Sequence, residues 1–88
     1  MDVRQTIGWN LRRLRVARGL SQERLAFEAE IDRSYVGRVE RGGENVTVAT
    51  LEAFAKVLSV NVSELFAEIA PEDTKPPGLP SGRKQKGL

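Results

Sequence analysis

Between positions 33 and 41 this chain places Arg33, Ser34, Tyr35, Arg38 and Arg41 around two valines, Val36 and Val39. Arginine carries a planar fork of donors that can bond guanine O6 and N7 together, which makes Arg33 and Arg38 the leading candidates for reading bases. A serine hydroxyl can meet a base edge or a phosphate, and Tyr35 can reach a phosphate or stack against a sugar. If the valines are buried, the other side of the segment is short, polar and cationic, a shape suited to a DNA major groove. Other chemistries have little to work with. The chain has no cysteine and no histidine, which removes disulfides, thiol nucleophiles, imidazole bases and the usual zinc sites. Carboxylate pairs such as Glu28 and Glu30 stand without a glycine loop, a metal spacing or a nucleophile. No enzyme, no metal and no cofactor is therefore expected.

The candidate residues need elements to hold them. Ser21 and Asp32 are polar helix-start residues, each preceded by an aliphatic residue and followed by a short apolar pattern of helical period. Leu20 with Leu25, and Ile31 with Val36, stand in the relation of a hydrophobic staple across these caps. Each cap contributes roughly 0.5 to 2 kcal/mol. The spacing predicts a helix over 22–29, a three-residue turn, and a second helix over 33–41 that stops at Gly42. Glu30 sits in the turn, where a left-handed backbone is often required; a residue other than glycine there costs on the order of 1 kcal/mol. Gly37, within the second helix, costs roughly 0.8 to 1 kcal/mol in helix stability; either it lets the helix approach a groove floor or the position tolerates it.

The flanking segments repeat the same start signal. Asp2 with Gln5 forms a capping box for a first helix over 3–18, with Gly19 as its stop and Ile7, Leu11 and Leu14 on one face. Trp9 and Val16 fall on the other side among Arg12 and Arg13 and read as ordinary exposed apolar residues. Thr47 is a third cap, with Val46 and Leu51 as staple and Leu51, Phe54, Ala55 and Leu58 as stripe. Asn61 is a fourth, with Val60 and Leu65 as staple and Glu64 completing a capping box, ahead of a last helix over 62–70. The fold class that follows is all-α, a compact bundle of five short helices containing a helix-turn-helix.

Eighty-eight residues make one domain, just large enough to fold alone. No apolar run approaches a membrane span and no signal-peptide pattern is present, so a cytoplasmic location is the default expectation. The net charge of +2 is unevenly spread: residues 1–24 carry +4, residues 25–70 carry −4 and residues 71–88 carry +2. A nucleic-acid face must therefore come from arrangement and not from bulk charge. Residues 1–70 are expected to form the folded unit. Residues 71–88, with four prolines and three glycines, are expected to be a disordered basic tail, in which the run 82–86 either adds phosphate attraction or is a solvated end.

The residues Leu14-Arg15, Gly19 to Glu23, Leu25-Ala26, Ile31 to Val36, Val39 to Gly42, Asn45, Leu51, Ala55, Leu58, Val60 and Ser63 to Phe66 resemble, over residues 7–66, the phage-repressor-like helix-turn-helix family of Cro and lambda repressor, the Xre type. Asp-Arg-Ser-Tyr-Val, Glu-Arg-Gly and the following Asn-Val-Thr are most similar to controller proteins of restriction-modification systems. The resemblance implies a lambda-repressor-like DNA-binding domain, a structural pair of Arg15 with Glu40, a DNA contact for Gln22, and backbone contacts from Asn45 and Thr47. It also implies a homodimer on inverted repeats, for which the surplus apolar surface of Val62, Leu65, Phe66 and Ile69 is the candidate interface.

The function these readings support is a sequence-specific transcriptional regulator with double-stranded DNA as partner, binding as a homodimer to a pseudo-palindromic operator, with repressor or restriction-modification controller as the specific role. The alternative is an antitoxin or adaptor module that binds an additional protein partner and uses DNA secondarily.

Overall fold

The computed structural model describes residues 2–69, and among these the chain forms four α-helices and a terminal 3₁₀ turn, with no strand. The helices are α1 (Val3–Ala17), α2 (Gln22–Ala29), α3 (Arg33–Glu40) and α4 (Val48–Leu58), and the 3₁₀ turn spans Val62–Phe66. The expected tail, 71–88, lies outside the described residues.

Each α-helix begins on a side-chain cap. Asp2 Oδ1 accepts from the Gln5 amide and Gln5 Oε1 accepts from the Asp2 amide, both at 3.0 Å. Ser21 Oγ accepts from Arg24 N at 2.9 Å, Asp32 Oδ1 from Ser34 N at 3.0 Å, and Thr47 Oγ1 from Thr50 N at 3.1 Å. Each helix also ends in one way: a residue two or three past the helix end donates back five residues, as in Ile31 N to Ala26 O and Gly43 N to Arg38 O. This closure requires a left-handed residue between. Gly19 and Gly42 supply it at two ends, and Glu30 (φ 59°) and Ser59 (φ 58°) supply it at the others. Glu30 thus takes up the strained conformation itself.

One core joins the elements. Leu11, Leu25, Val36, Phe54, Leu58 and Leu65 are fully enclosed, with Ile7, Ala26, Val39 and Leu51 around them. Helices α1 and α3 cross at a glycine: a Cβ on Gly8 would stand 2.4 Å from the carbonyl oxygen of Val39 and 2.7 Å from that of Glu40. Only a hydrogen at that position permits the approach.

The expectation of a fifth helix over 62–70 is corrected. Asn61 makes no side-chain cap bond, the 3₁₀ turn ends at Phe66, and Ala67 is extended at φ −59°, ψ 140°. The physical reason lies in α1. Asn10, 1% exposed, aims its Nδ2 at the carbonyls of Leu65 (3.2 Å) and Ala67 (2.9 Å). These are acceptors that a continuing helix would direct along its own axis. Proline at position 71 has no N–H with which to serve the Ala67 carbonyl in a helix.

Candidate nucleic-acid interface

The face of α3 is set by its two valines. Val36 is fully buried and Val39 1% exposed, so Arg33, Ser34 and Arg38 lie on the outside, with Tyr35 half-buried beside them. Arg33, at the first helical position, is the more open of the two arginines; its Nη1 lies 3.6 Å from Glu23 Oε2, with side chains 68% and 73% exposed. Arg38 is held more tightly. Its Nε donates to Glu44 Oε2 at 2.6 Å, its Nη1 to Ser34 Oγ at 3.4 Å, and its guanidinium carbon lies 5.7 Å from the Tyr35 ring centre.

Charge is tuned locally by these neighbours. The Ser34 amide and then its hydroxyl hold the Asp32 carboxyl below its ordinary value, as the Gln5 amide does for Asp2. Partial burial pushes the Tyr35 phenol above 10.0; the Glu44 carboxylate acts in the same direction and Arg38 against it.

Gln22 opens α2, half-buried, with its Nε2 donating to Glu40 Oε1 at 3.0 Å. Its Oε1 stands beside Gly37, 3.6 Å from where a Cβ would be, and Arg41 Nη1 would be 3.2 Å from the same point. A Cβ at position 37 would thus be in ordinary contact with Gln22 and would ask the end of the Arg41 side chain to shift by only a few tenths of an ångström. Glu40 in turn accepts from Arg15 Nε at 2.6 Å and from Arg15 Nη2 at 3.0 Å, with both side chains buried. Arg15 Nη1 donates to Leu20 O at 2.8 Å. Helices α1, α2 and α3 are thus tied through one carboxylate directly behind the outward face.

Asn45 and Thr47 are exposed on the segment between α3 and α4. The Thr47 hydroxyl is already engaged at both ends, accepting from Thr50 N and donating to Thr50 Oγ1 at 3.0 Å.

The four residues expected at a dimer interface separate. Leu65 is fully buried in the core, because the 3₁₀ turn directs it under α1 and α4, so it has no surface to offer. Val62 is half-buried against the same core, while Phe66 is 44% exposed. Phe66 and Ile69 instead line a shallow groove with Val3, Thr6 and Glu68, and Val3 is 61% exposed.

Sequence reasoning missed Glu44 and Glu23, the partners of the two outward arginines, and Asn10 and Gly8. Glu44 lies six residues from Arg38 across a helix end, a spacing outside the usual three-or-four helical rule, and Glu23 reaches Arg33 from another helix. Gly8 carries one signal, a glycine in the middle of a helix.

Two short packed helices joined by a tight turn, with the second presenting arginines outward over a buried valine pair, define a helix-turn-helix domain. A profile described as helix-turn-helix matches residues 11–65. The chain is 42% identical over 66 residues to control protein C.SmaI of Serratia marcescens, covering 75% of this chain and 79% of that one. It is 35% identical to control protein C.BamHI of Bacillus amyloliquefaciens, covering 74% and 82%. Among solved structures, the restriction-modification controller protein C.AhdI from Aeromonas hydrophila superimposes with a TM-score of 0.70 at 49% identity, covering 72% of this chain and 96% of that one. The chain belongs to the Xre-type helix-turn-helix family of DNA-binding transcription regulators. This is a regulator family and not an enzyme family. Among the described residues, no helix is long and apolar enough to cross a membrane.

Proposed function

We infer that this protein is a sequence-specific regulator that occupies operator DNA as a homodimer, with α3 in the major groove and the restriction-modification controllers as its functional relatives. In this reading Arg33 and Arg38 read base edges, Ser34 and Tyr35 meet a base edge or the backbone, and Gln22, Asn45 and Thr47 fix the docking on phosphate. Thr47 does so through the N-terminus of α4 that it caps, since its hydroxyl proton is already taken and helix N-termini present free amides to phosphate. Two copies meeting through the Val3, Phe66 and Ile69 face would set two α3 helices in successive major grooves, about 34 to 36 Å apart. Pairing of two equal patches is the commonest route to a symmetric dimer.

The observation that carries the reading is the side of α3 that faces out: its arginines are exposed while its valines are held by the core. Selection of bound sequences from random duplexes tests it. Two half-sites in inverted order are expected. A selection that enriches nothing would end the reading, and an enriched single half-site would end the dimer.

A further inference from the structure

We propose that Glu44 is a positioning residue for specificity: by holding Arg38 through its Nε, it fixes the end of the guanidinium that reads a base and keeps unmatched DNA from binding well. The inference rests on the function proposed above and concerns how that surface discriminates.

The two outward arginines are held differently. Arg33 and Glu23 are 3.6 Å apart with both side chains more than two-thirds exposed, a loose pair. Arg38 and Glu44 are 2.6 Å apart with side chains 46% and 26% exposed. The loop that carries Glu44 is itself fixed, because Gly42 is left-handed and the Gly43 amide donates to the Arg38 carbonyl at 2.9 Å. The carboxylate takes only the Nε side of Arg38. Its Nη1 touches Ser34 Oγ at a weak 3.4 Å, and the Tyr35 ring lies along the guanidinium. The outer Nη1 and Nη2 edge is therefore oriented and still has donors to give, which is the edge that bonds guanine O6 and N7.

A carboxylate at this place has two consequences. It pre-orders a long side chain, which lessens the entropy lost when Arg38 meets its base. It also adds a negative charge close to where phosphates would lie, which weakens binding to every sequence alike. The second effect lowers both affinities and leaves their ratio unchanged; the first is gained on correct DNA alone, so the ratio of specific to random binding rises.

The test measures binding of the full chain to its selected operator, to the operator substituted one base pair at a time, and to random duplex, at fixed salt. Glu44→Ala is expected to tighten random binding about threefold and weaken operator binding about tenfold, with discrimination lost at a single base pair of each half-site. Glu44→Gln, which keeps an acceptor but no charge, should tighten random binding similarly while retaining most of the discrimination at that pair. Arg38→Ala should lose the same pair, and adding Glu44→Ala to it should remove no further discrimination. Equal tightening on operator and random DNA in Glu44→Ala would overturn the proposal, leaving Glu44 as plain repulsion. So would a further loss of discrimination in the Arg38→Ala background. An unaltered protein that prefers no sequence would defeat the underlying reading and, with no discrimination to support, this proposal with it; the Glu44→Ala outcomes above overturn the proposal alone.

Discussion

Arg15 on α1 and Glu40 on the last turn of α3 form a buried ion pair, with two bonds of 2.6 and 3.0 Å between side chains that are 4% and 1% exposed. Because Gln22 bonds the same carboxylate, the pair sets where α3 sits relative to the helices that back it. Removing one member leaves a charge in the core. Arg15→Ala should therefore destabilise the fold by about 3 to 5 kcal/mol, read as a lower midpoint in urea denaturation. The joint change Arg15→Met with Glu40→Leu should recover much of that loss, since two apolar residues leave no uncompensated charge. If the joint variant is no more stable than Arg15→Ala, the stabilisation lies in the bonds the pair makes to Leu20 O and Gln22, which neither variant keeps in full, and not in the uncompensated charge.

The left-handed helix ends give a second measurable effect. Glu30 and Ser59 each hold positive φ with a Cβ present. Glu30→Gly and Ser59→Gly should each stabilise the domain by about 1 kcal/mol, because the strain relieved exceeds the chain entropy glycine adds to the unfolded state. Gly19→Ala should move the other way by a similar amount: a Cβ there meets nothing within 4 Å, so any loss comes from its φ of +71° and not from crowding. Thermal melts of the three variants check the pattern, and a destabilised Glu30→Gly would show that the Glu30 side chain makes a contribution larger than its strain.

Much of this structure was legible because its determinants are local. A cap oxygen, the residue before it and the residue four into the helix lie within six positions of one another, so Ser21, Asp32 and Thr47 announced their helices correctly. The same pattern at Asn61 did not produce an α-helix, because its outcome was decided by Asn10, more than fifty positions away in sequence. The outward side of α3 was legible for the same local reason, since Val36 and Val39 fix it by their spacing. The carboxylates that face Arg33 and Arg38 were not, because they come from another helix and from beyond a helix end, where no periodicity relates them. Leu65 was misjudged through its element: on a long helix it could have faced outward, whereas the 3₁₀ turn seats it in the core.

The single tyrosine of the chain reports on the α3 surface. Its phenol is raised above 10.0 by partial burial first and by Glu44 second, and Arg38 opposes them. Ultraviolet absorbance should show ionisation above pH 10, at lower pH in Glu44→Gln and at higher pH in Arg38→Ala. A raised value means that this contribution to stability is complete below pH 10 and is lost as pH rises through the folded value. The acid side has the opposite sign. Asp2 and Asp32 are lowered from 3.8 by the amides they cap, so their contribution is present above about that pH and is lost as pH falls through their folded values. Asp32→Asn, which keeps a neutral cap acceptor, should flatten part of the stability loss below pH 4 in melts followed by circular dichroism.

Arg33 separates binding from folding most cleanly. Its ion pair with Glu23 is loose and exposed, and such pairs contribute roughly 0 to 1 kcal/mol, so Arg33→Ala should leave the melting temperature almost unchanged. On operator DNA the same variant should lose about 1 to 3 kcal/mol of binding, and much less on random duplex, if its guanidinium meets a base edge. The salt dependence distinguishes the two modes of contact. A base-reading arginine leaves the slope of log affinity against log salt nearly as it was, whereas loss of a phosphate contact reduces the slope by about one. Titrations at several salt concentrations therefore assign the residue directly: equal losses on both DNAs with a shallower slope would move Arg33 from the bases to the backbone, leaving Arg38 as the reading arginine of α3.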